Sequence, residues 1–250
     1  MKKKNIFGLS WQLAIADFKL RNEDSYLGNL WYFLNPLLLF LLLFLVFFDR
    51  LGQNISSYPA YLLMGIIIFN FFLRVTTEST STILNSGFIK SINFPRETLI
   101  ISLVLKHIFS HIFEVIVFFI ILFFFNVPIY GILLYFLILI FLSLFVYGLS
   151  LLLSSLTIYF LDLRDIWIYF STLLWFATPI FYEVGGQTRL YILNLFNPMY
   201  YFITAARDMI IYSRIPEAWI LLGIFLYTSL SLIIGTIVFR KLKNKFVEMI

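Results

Sequence analysis

His107, His111 and Glu114 carry the residue types and the spacing of a candidate chemical site. The three residues stand at positions i, i+4 and i+7, which on a helix places them within an arc of about 60°. Two imidazoles and a carboxylate on one face could hold a divalent metal ion or pass a proton. A metal ion would need further ligands, and the sequence identifies none. We therefore predict no metal site and interpret the three residues as a polar seam, with Arg74 or Glu78 as partners, because charges in an apolar setting are normally paired.

Asp162 and Asp165 are the nearest approach to the paired carboxylates that a membrane-embedded transferase would use for metal or acid–base chemistry. They flank Arg164 in the short stretch "LDLRD", and a capped turn that opens the next helix explains this pattern better. The sequence also lacks the G-x-x-x-x-G-K-[ST] loop that cradles phosphates. We predict that the chain is not an enzyme and does not itself use ATP.

The composition places these residues in a membrane protein. Hydrophobic residues make up 62% of the 250 residues and charged residues only 12%, whereas a soluble domain has about a quarter charged residues. The first long apolar run begins near Leu30, too far into the chain for a cleaved signal peptide, so we expect the N-terminus to be retained. The chain has no cysteine, which excludes disulfides and thiolate metal sites.

Long apolar runs predict an all-α membrane protein with six transmembrane helices, in one domain that comprises residues 1–250. The turn "NVP", Asn126–Pro128, divides a run that is too long for one span. The fifth run is the shortest, and Pro179 near its end leaves a re-entrant shape open. The predicted spans are Leu30–Phe48, Tyr58–Leu73 with a polar continuation to Ser81, Leu99–Phe125, Ile129–Phe160, Ile166–Tyr182 and Ala218–Phe239.

The distribution of Lys and Arg predicts how these spans are oriented. If the N-terminus is cytoplasmic, most of the basic residues lie in cytoplasmic segments, and Arg74 and Lys106 lie near or inside spans. The basic residues of the outer segments are then Arg50, Arg189, Arg207 and Arg214. This bias favours an even number of spans and both termini in the cytoplasm.

The segment 5–24 before the first span has the pattern of an amphipathic helix. Trp11, Ile15 and Phe18 fall at i, i+4 and i+7, and charged residues occupy the other faces. Such a helix would lie in the membrane interface. A soluble helical extension is the alternative.

Charged residues interrupt the apolar sequence at "KSINFPRETLI", Lys90–Ile100. A short helix along the membrane surface could start after Gly87 and expose Phe88 and Phe94. Pro95 would end that helix and suit the first turn of the next span. We predict a cytoplasmic surface helix in the segment 83–97, with an ordinary cytoplasmic loop as the alternative.

The segment 183–216 is too polar for another span and too aromatic for a free loop. Asn197 and Pro198 should divide it into two short helices, because proline lacks the amide donor and disfavours helix in the preceding residue. Such a pair can dip into the outer leaflet and return if its freed backbone groups are buried in protein or face water. A hairpin that merely lies in the interface is the alternative.

Four stretches, in the same order and over nearly the whole chain, resemble the ABC-2 type permeases that export polysaccharides such as O-antigen and teichoic acid. The stretches are "ADFKLRNEDSYLGNLWYFLNPLLL", "FNFFLRVTTESTSTILNSGFIKSINFPRETLIIS", "LDLRD" and "FNPMYYF". The second carries an Asn, a Lys and then F-P-R-E at the spacing typical of that family. One departure is Asn93, which stands where a bulkier aromatic residue is frequent.

The resemblance implies the transmembrane half of an ABC exporter that moves a lipid-linked polysaccharide across the cytoplasmic (inner) membrane of a bacterium or archaeon. Two copies would enclose one channel among membrane lipids, and no nucleic acid would be involved. Each copy would contact a separate ATPase subunit, which would hold the ATP and Mg²⁺, so the chain itself would need no cofactor. The implied ATPase contacts are Asn85, Phe88, Lys90, Phe94, Arg96 and Glu97, and to a smaller extent Leu163, Arg164 and Asp165.

Three further sets of residues follow from a glycan substrate. Aromatic rings stack on sugars, so Tyr147, Tyr169, Trp175 and Tyr182 are candidates for the channel, although aromatic residues also fill membrane cores and interfacial belts. Lys19 and Arg21 could capture an anionic lipid head, or bind anionic lipids in general. The candidates for an outer gate, which would close the channel against ions, are Asn197, Pro198, Tyr200 and Tyr201.

Two other transporter classes stay open. An ABC exporter of a small amphiphile or drug would share the same architecture. A proton-coupled transporter would use the polar seam of His107, His111 and Glu114, and its transport would survive the loss of ATP. The sequence does not name the glycan or its lipid carrier, separate O-antigen from teichoic acid, or state whether the ATPase has a carbohydrate-binding domain.

Overall fold

Helices account for all of the regular structure in the part of the chain that the computed structural model describes, which is residues 6–23, 28–85, 95–124, 132–185, 187–243 and 246. The all-α prediction is thereby confirmed. The α-helices are α1 (Ile6–Glu23), α2 (Trp31–Leu51), α3 (Tyr58–Thr82), α4 (Glu97–Phe124), α5 (Ile132–Tyr159), α6 (Leu163–Ala177), α7 (Thr188–Leu195), α8 (Pro198–Ile210) and α9 (Ala218–Leu242). Short 3₁₀ turns precede α2 and follow it.

Five of the helices, α2, α3, α4, α5 and α9, are long and apolar enough to cross a membrane. They correspond to five of the six predicted spans. The fifth predicted span, Ile166–Tyr182, coincides with α6, which has 15 residues. A helix of that length reaches about 22 Å, less than the ~30 Å of a bilayer's hydrocarbon core. The chain continues from α6 in an extended conformation, with φ −79° and ψ 135° at Thr178.

The centre of the molecule is α3. Its apolar part, from Tyr58 to Phe72, is buried almost all round, as expected of a helix that is hydrophobic on every face. Around it pack α2, α4, α5, α6 and α8. We call the end of the bundle where α3 begins and where α7 and α8 lie the upper end, and the end where α4 begins and α9 finishes the lower end.

The closest helix pair is α5 with α9, which meet backbone to backbone. A Cβ atom on Gly235 would clash with the carbonyl oxygen of Gly148, and one on Gly148 would clash with the backbone of Ser231 and Leu232, so neither position has room for a side chain. The Ser231 hydroxyl donates a hydrogen bond of 2.7 Å to the carbonyl of Phe145 on the facing helix. Small residues permit this approach, which is the usual way in which helices associate inside a membrane.

The N-terminal helix α1 lies along α4 and has nearly the predicted bounds. Its buried side is centred on Ser10 and Ala14. The rings of Trp11 and Phe18 flank that side and contact Phe109 of α4 edge-on, with centroids 5.2 and 6.0 Å away. Much of this apolar face therefore packs on protein. Its location in a membrane interface stays a prediction.

A second, smaller apolar cluster closes the lower end. It contains Ile100 near the start of α4, Leu151 of α5, Phe239 of α9 and Phe246 beyond α9, all nearly or fully buried. The end of α9 thus lies beside the beginning of α4. Farther along α4, at Phe109, the same helix packs against α1.

Candidate functional site

The break between α7 and α8 is built around Asn197. Its side-chain oxygen accepts a hydrogen bond of 3.0 Å from the backbone N–H of Met199, which caps α8. Its amide donates to the Thr178 hydroxyl at 2.8 Å and to the Asn194 side chain at 3.3 Å. Pro198 follows at the first position of α8, where a missing donor costs nothing. The prediction of two short helices divided at Asn197 and Pro198 is confirmed.

Tyrosines connect this helical pair to α9. The hydroxyls of Tyr201 and Tyr227 both donate to the carbonyl of Leu195, the last residue of α7, at 2.8 and 3.1 Å. The Tyr200 ring stacks on Trp219 near the start of α9, with centroids 6.3 Å apart. The aromatic residues predicted for an outer gate therefore hold α7, α8 and α9 together at the upper end.

Arg207 of α8 is a residue that the sequence interpretation placed only among the outer cations. It is 4% exposed, and its guanidinium donates to three carbonyl groups of other segments. Two bonds, 3.2 and 3.0 Å, reach Tyr61 of α3. The others reach Pro179 at 2.7 Å and Ile180 at 2.8 Å, just after α6. The guanidinium carbon also lies 3.3 Å from the centre of the Tyr61 ring.

The segment predicted to contact an ATPase lies partly outside the described residues, because Phe88, Lys90 and Phe94 are not among them. Asn85 is exposed, in the turn after α3. The guanidinium of Arg96 lies 5.5 Å from the centre of the Phe246 ring. Glu97 begins α4, and its carboxylate accepts a hydrogen bond of 2.8 Å from Lys243. The chain just before α4 is thus attached to the end of α9.

Arg164 and Asp165, the predicted smaller contact, are exposed in the first turn of α6. The capping role expected of the neighbouring Asp162 is wrong, because its side chain makes no capping hydrogen bond. Asp162 itself has helical backbone angles, φ −64° and ψ −16°. The turn before α6 therefore uses main-chain bonds, from the N–H groups of Leu163 and Arg164 to carbonyls three residues earlier.

The polar seam predicted on α4 exists, with both predicted partners. Glu78 of α3 accepts hydrogen bonds from Lys106 and, at 2.8 Å, from His107 Nε2. One turn further along α4, Glu114 pairs with Arg74 of α3 and accepts from His111 Nδ1 at 3.0 Å. Since that nitrogen donates, His111 Nε2 is left to accept from the Tyr135 hydroxyl of α5.

The hydrogen bonds and ion pairs of this seam join three helices, α3, α4 and α5. Asp17 of α1 lies close enough to feel the charges of Lys106 and Glu78. Partial burial raises the pKa of the Asp17 carboxyl, and the ammonium of Lys106 opposes that rise. Within the described residues, no group of three His, Cys, Asp or Glu side chains is arranged to hold a metal ion. Both nitrogens of His111 are already engaged in hydrogen bonds.

The four aromatic residues predicted to line the channel do not lie together on one surface. Tyr147 of α5 packs beside the lower apolar cluster, whereas the others belong to α6 and the chain after it. Tyr169 is 74% exposed on α6. The ring of Trp175 packs against Phe181, with centroids 5.6 Å apart. The Tyr182 hydroxyl donates to the carbonyls of the last two residues of α6, at 3.2 and 2.8 Å.

Lys19, one of the two predicted lipid-head cations, is exposed on α1. The side chain of Arg21 lies outside what the structure describes. Lys19 is therefore accessible, and a role in binding lipid stays a prediction.

Similarity to known proteins agrees with this arrangement of helices. The profile of the ABC-2 type transporter family matches residues 9–211, from α1 to the end of α8. The chain belongs to the ABC-2 type transporter family. Together with its five long apolar helices, this membership makes it a multi-pass membrane protein.

The ABC-2 chain is also similar to individual permeases over nearly its whole length. It is 28% identical to an O-antigen export system permease protein RfbA of Klebsiella pneumoniae, in an alignment that covers 98% of this chain and 96% of the relative. It is 24% identical to the RfbA permease of Myxococcus xanthus, over 97% of this chain and 95% of that one. The shared length includes α9, which the family profile does not reach.

Proposed function

We propose that the chain is the transmembrane subunit of an ABC exporter that moves a lipid-linked polysaccharide out across the inner membrane, driven by ATP hydrolysis on a separate subunit. The observation that carries this proposal is the full-length similarity to O-antigen export permeases. The structure adds a membrane domain whose upper end is crossed by a firmly bonded helical pair. An export subunit needs such an element to keep its pathway closed to ions.

The proposed topology has six spans, with α6 and the chain that follows it as the fifth. Both termini and the lower end face the cytoplasm, and α1 lies in the inner interface. A second copy of the chain completes the channel. At the lower end, the segment 83–97 binds the ATPase, and Arg164 and Asp165 form the smaller contact. Lys19 and Arg21 receive the anionic head of the carrier lipid.

In the proposed gate, α7 and α8 close the outer end of the channel and move apart when a glycan passes. Asn197 and Pro198 set the angle between the two helices, and Tyr200 and Tyr201 attach them to α9. The freed backbone groups at the break are largely paired inside the protein, as a re-entrant segment requires.

The test is reconstitution in cells that lack their own polysaccharide exporter. Co-expression of the chain with its ATPase should restore polysaccharide at the cell surface, detected with a glycan-specific antibody. An ATPase variant without its phosphate-binding lysine should abolish export. An uncoupler that collapses the proton gradient, at maintained ATP, should leave export intact. Export that follows the gradient rather than ATP would replace this proposal with proton-coupled transport through the polar seam.

A second candidate function, export of a small amphiphile, is favoured by one observation. An apolar cavity of about 320 Å³ lies between α5, α6, α8 and α9, in the size range of small-molecule sites. Its aromatic lining residues are Phe72, Phe145, Trp167, Phe170, Phe196 and Tyr227. Resistance of the same cells to amphiphilic drugs, with no surface polysaccharide, would support this candidate.

A further inference from the structure

A second cavity, of about 500 Å³, opens at the upper end between the end of α2 and the chain that follows α6. Its volume lies in the range of small-ligand sites. Polar and aromatic side chains share its walls, chiefly Arg50, Asn54, Phe181, Tyr182, Glu183 and Gln187.

The irregular segment that leads into this cavity, residues 179–182, follows α6 in a series of bends, and all four of its carbonyl groups accept hydrogen bonds from side chains of other helices. Arg207 holds the carbonyls of Pro179 and Ile180. The Tyr58 hydroxyl donates to Phe181 at 3.0 Å, and the Tyr61 hydroxyl donates to Tyr182 at 2.8 Å. Irregular segments are normally more mobile than the helices that they connect. Here the bonds come from α3 and α8, so the side chains that line the cavity stand on a fixed base.

The polar walls, in contrast, keep their bonding groups available. Arg50, Asn54, Glu183 and Gln187 are exposed, and their side chains make no hydrogen bond or ion pair with the described part of the chain. Two amides, a guanidinium and a carboxylate thus face one space with free donors and acceptors. The Phe181 ring is fixed from the other side by Phe47, with centroids 4.8 Å apart.

We propose that this cavity binds one or more pyranose units of the glycan as it leaves the transporter. Neighbouring hydroxyls of a sugar ring accept from guanidinium and amide N–H groups and donate to carboxylate and amide oxygens, while its apolar face suits an aromatic ring. The polar side chains of the cavity provide the donors and acceptors, and Phe181 provides the aromatic ring. The proposal rests on the proposed export of a polysaccharide and assigns to it an external site for the sugar.

The test compares a triple variant of the cavity with a double control variant outside it, both in the complete transporter. Arg50→Ala, Asn54→Ala and Gln187→Ala together remove three of the four polar side chains of the cavity wall. Gln53→Ala with Arg189→Ala is the control, because both side chains are exposed nearby and lie outside the cavity. The probe is delipidated polysaccharide recovered from the surface of cells that carry the wild-type transporter. Its binding to each complex in lipid nanodiscs is measured by calorimetry.

We expect the triple variant to bind the probe at least roughly tenfold more weakly than the wild type, because it loses three side chains that can form hydrogen bonds with the sugar. The control should bind like the wild type, and basal ATP hydrolysis should be equal in all three. Glu183→Gln provides a second, milder variant with a smaller loss. Equal binding by wild type and triple variant would overturn the inference while leaving glycan export in place. Wild-type cells without surface polysaccharide would instead overturn the proposed function, and the external site with it.

Discussion

Arg207 shows how much of the upper end depends on one side chain. Its planar fork serves three carbonyl groups from two separate segments, which no other side chain type can do in the same space. Gly65 is part of this arrangement, because a Cβ atom there would lie 2.7 Å from the guanidinium. A buried cation in a membrane protein is tolerated here because four of its five N–H groups donate to main-chain oxygens and its guanidinium carbon lies over the Tyr61 ring.

Arg207→Lys should therefore destabilise the protein although the charge is kept. A single ammonium cannot reach Tyr61, Pro179 and Ile180 together, and each buried carbonyl left unpaired costs about 1–3 kcal/mol. We expect a loss of roughly 3 kcal/mol in the free energy of unfolding, measured by denaturant titration in detergent. Arg214→Lys is the control, because Arg214 is 65% exposed beside Asp208. A loss no larger than that of the control would contradict the role given to Arg207.

Asn197 has two roles that substitutions can separate. Asn197→Ser keeps a side-chain oxygen that can cap α8 but is too short to reach Thr178, whereas Asn197→Ala loses both interactions. The serine variant should be more stable than the alanine variant by about 1 kcal/mol, the usual worth of an N-cap. The same denaturant titration measures the difference. Equal stability of the two variants would mean that the cap contributes nothing.

These two residues also mark the limit of inference from sequence. The break at Asn197 and Pro198 was predictable because both signals are local: proline removes a donor, and asparagine accepts from the backbone two residues on. The partners of Arg207 are main-chain groups 27, 28 and 146 residues away, and nothing in a single sequence identifies them. The sequence did contain one indication that Arg207 is buried, because this arginine lies within the largely apolar stretch "FITAARDMII".

At the scale of elements, the crossing of α5 and α9 has the least tolerance for change. Gly235→Ala would place a methyl group against the carbonyl of Gly148, and both are backbone positions that cannot rotate away. We expect a cost of roughly 1–3 kcal/mol from the forced separation of the helices. Ile237→Ala on the same helix is the control, because Ile237 is 61% exposed. Thermal unfolding of the purified variants measures both; similar midpoints would argue against a tight crossing.

Hydropathy predicted the long helices because each needs an apolar surface of membrane length, and five of the six runs are such helices. It was less informative for α6, which ends at Ala177 because Pro179 disfavours helical backbone at Thr178. The expected cap by Asp162 failed because main-chain bonds already open that helix. The partners of the polar seam, Arg74 and Glu78, were predictable because few other charges lie at the same depth.

At the scale of the whole molecule, the ATPase should bind the lower end through the segment before α4. Phe94→Ala with Arg96→Glu should weaken that association, since it removes an aromatic side chain and reverses a charge. The variant should still insert into the membrane. Co-purification with the tagged ATPase measures the contact, and Lys241→Ala, on the exposed side of the α9 end, is the control. An undiminished yield of ATPase, with hydrolysis still stimulated, would refute this contact.

The proposed gate predicts an electrical property of the resting transporter. Replacing Asn197 and Pro198 and trimming Tyr200 and Tyr201 to alanine should let small ions cross, because the bonds that hold α7 and α8 in place are lost. Proteoliposomes that contain the complete transporter should show an ion flux well above that of the wild type. Liposomes that remain ion-tight with a correctly folded variant would leave the helical pair without a gating role.

The crossing at Gly235 has a mechanical consequence. Tyr227, which is bonded to α7, and Lys243, which is bonded to Glu97, each lie eight residues from it along the chain, or about 12 Å along a helix. If α9 tilts about this closest approach to α5, the crossing acts as a pivot with two equal arms. A sideways displacement of the Lys243 end would then be returned at Tyr227 with the same size and the opposite direction, so the proposed gate and the proposed ATPase contact would move together as long as α9 stays straight.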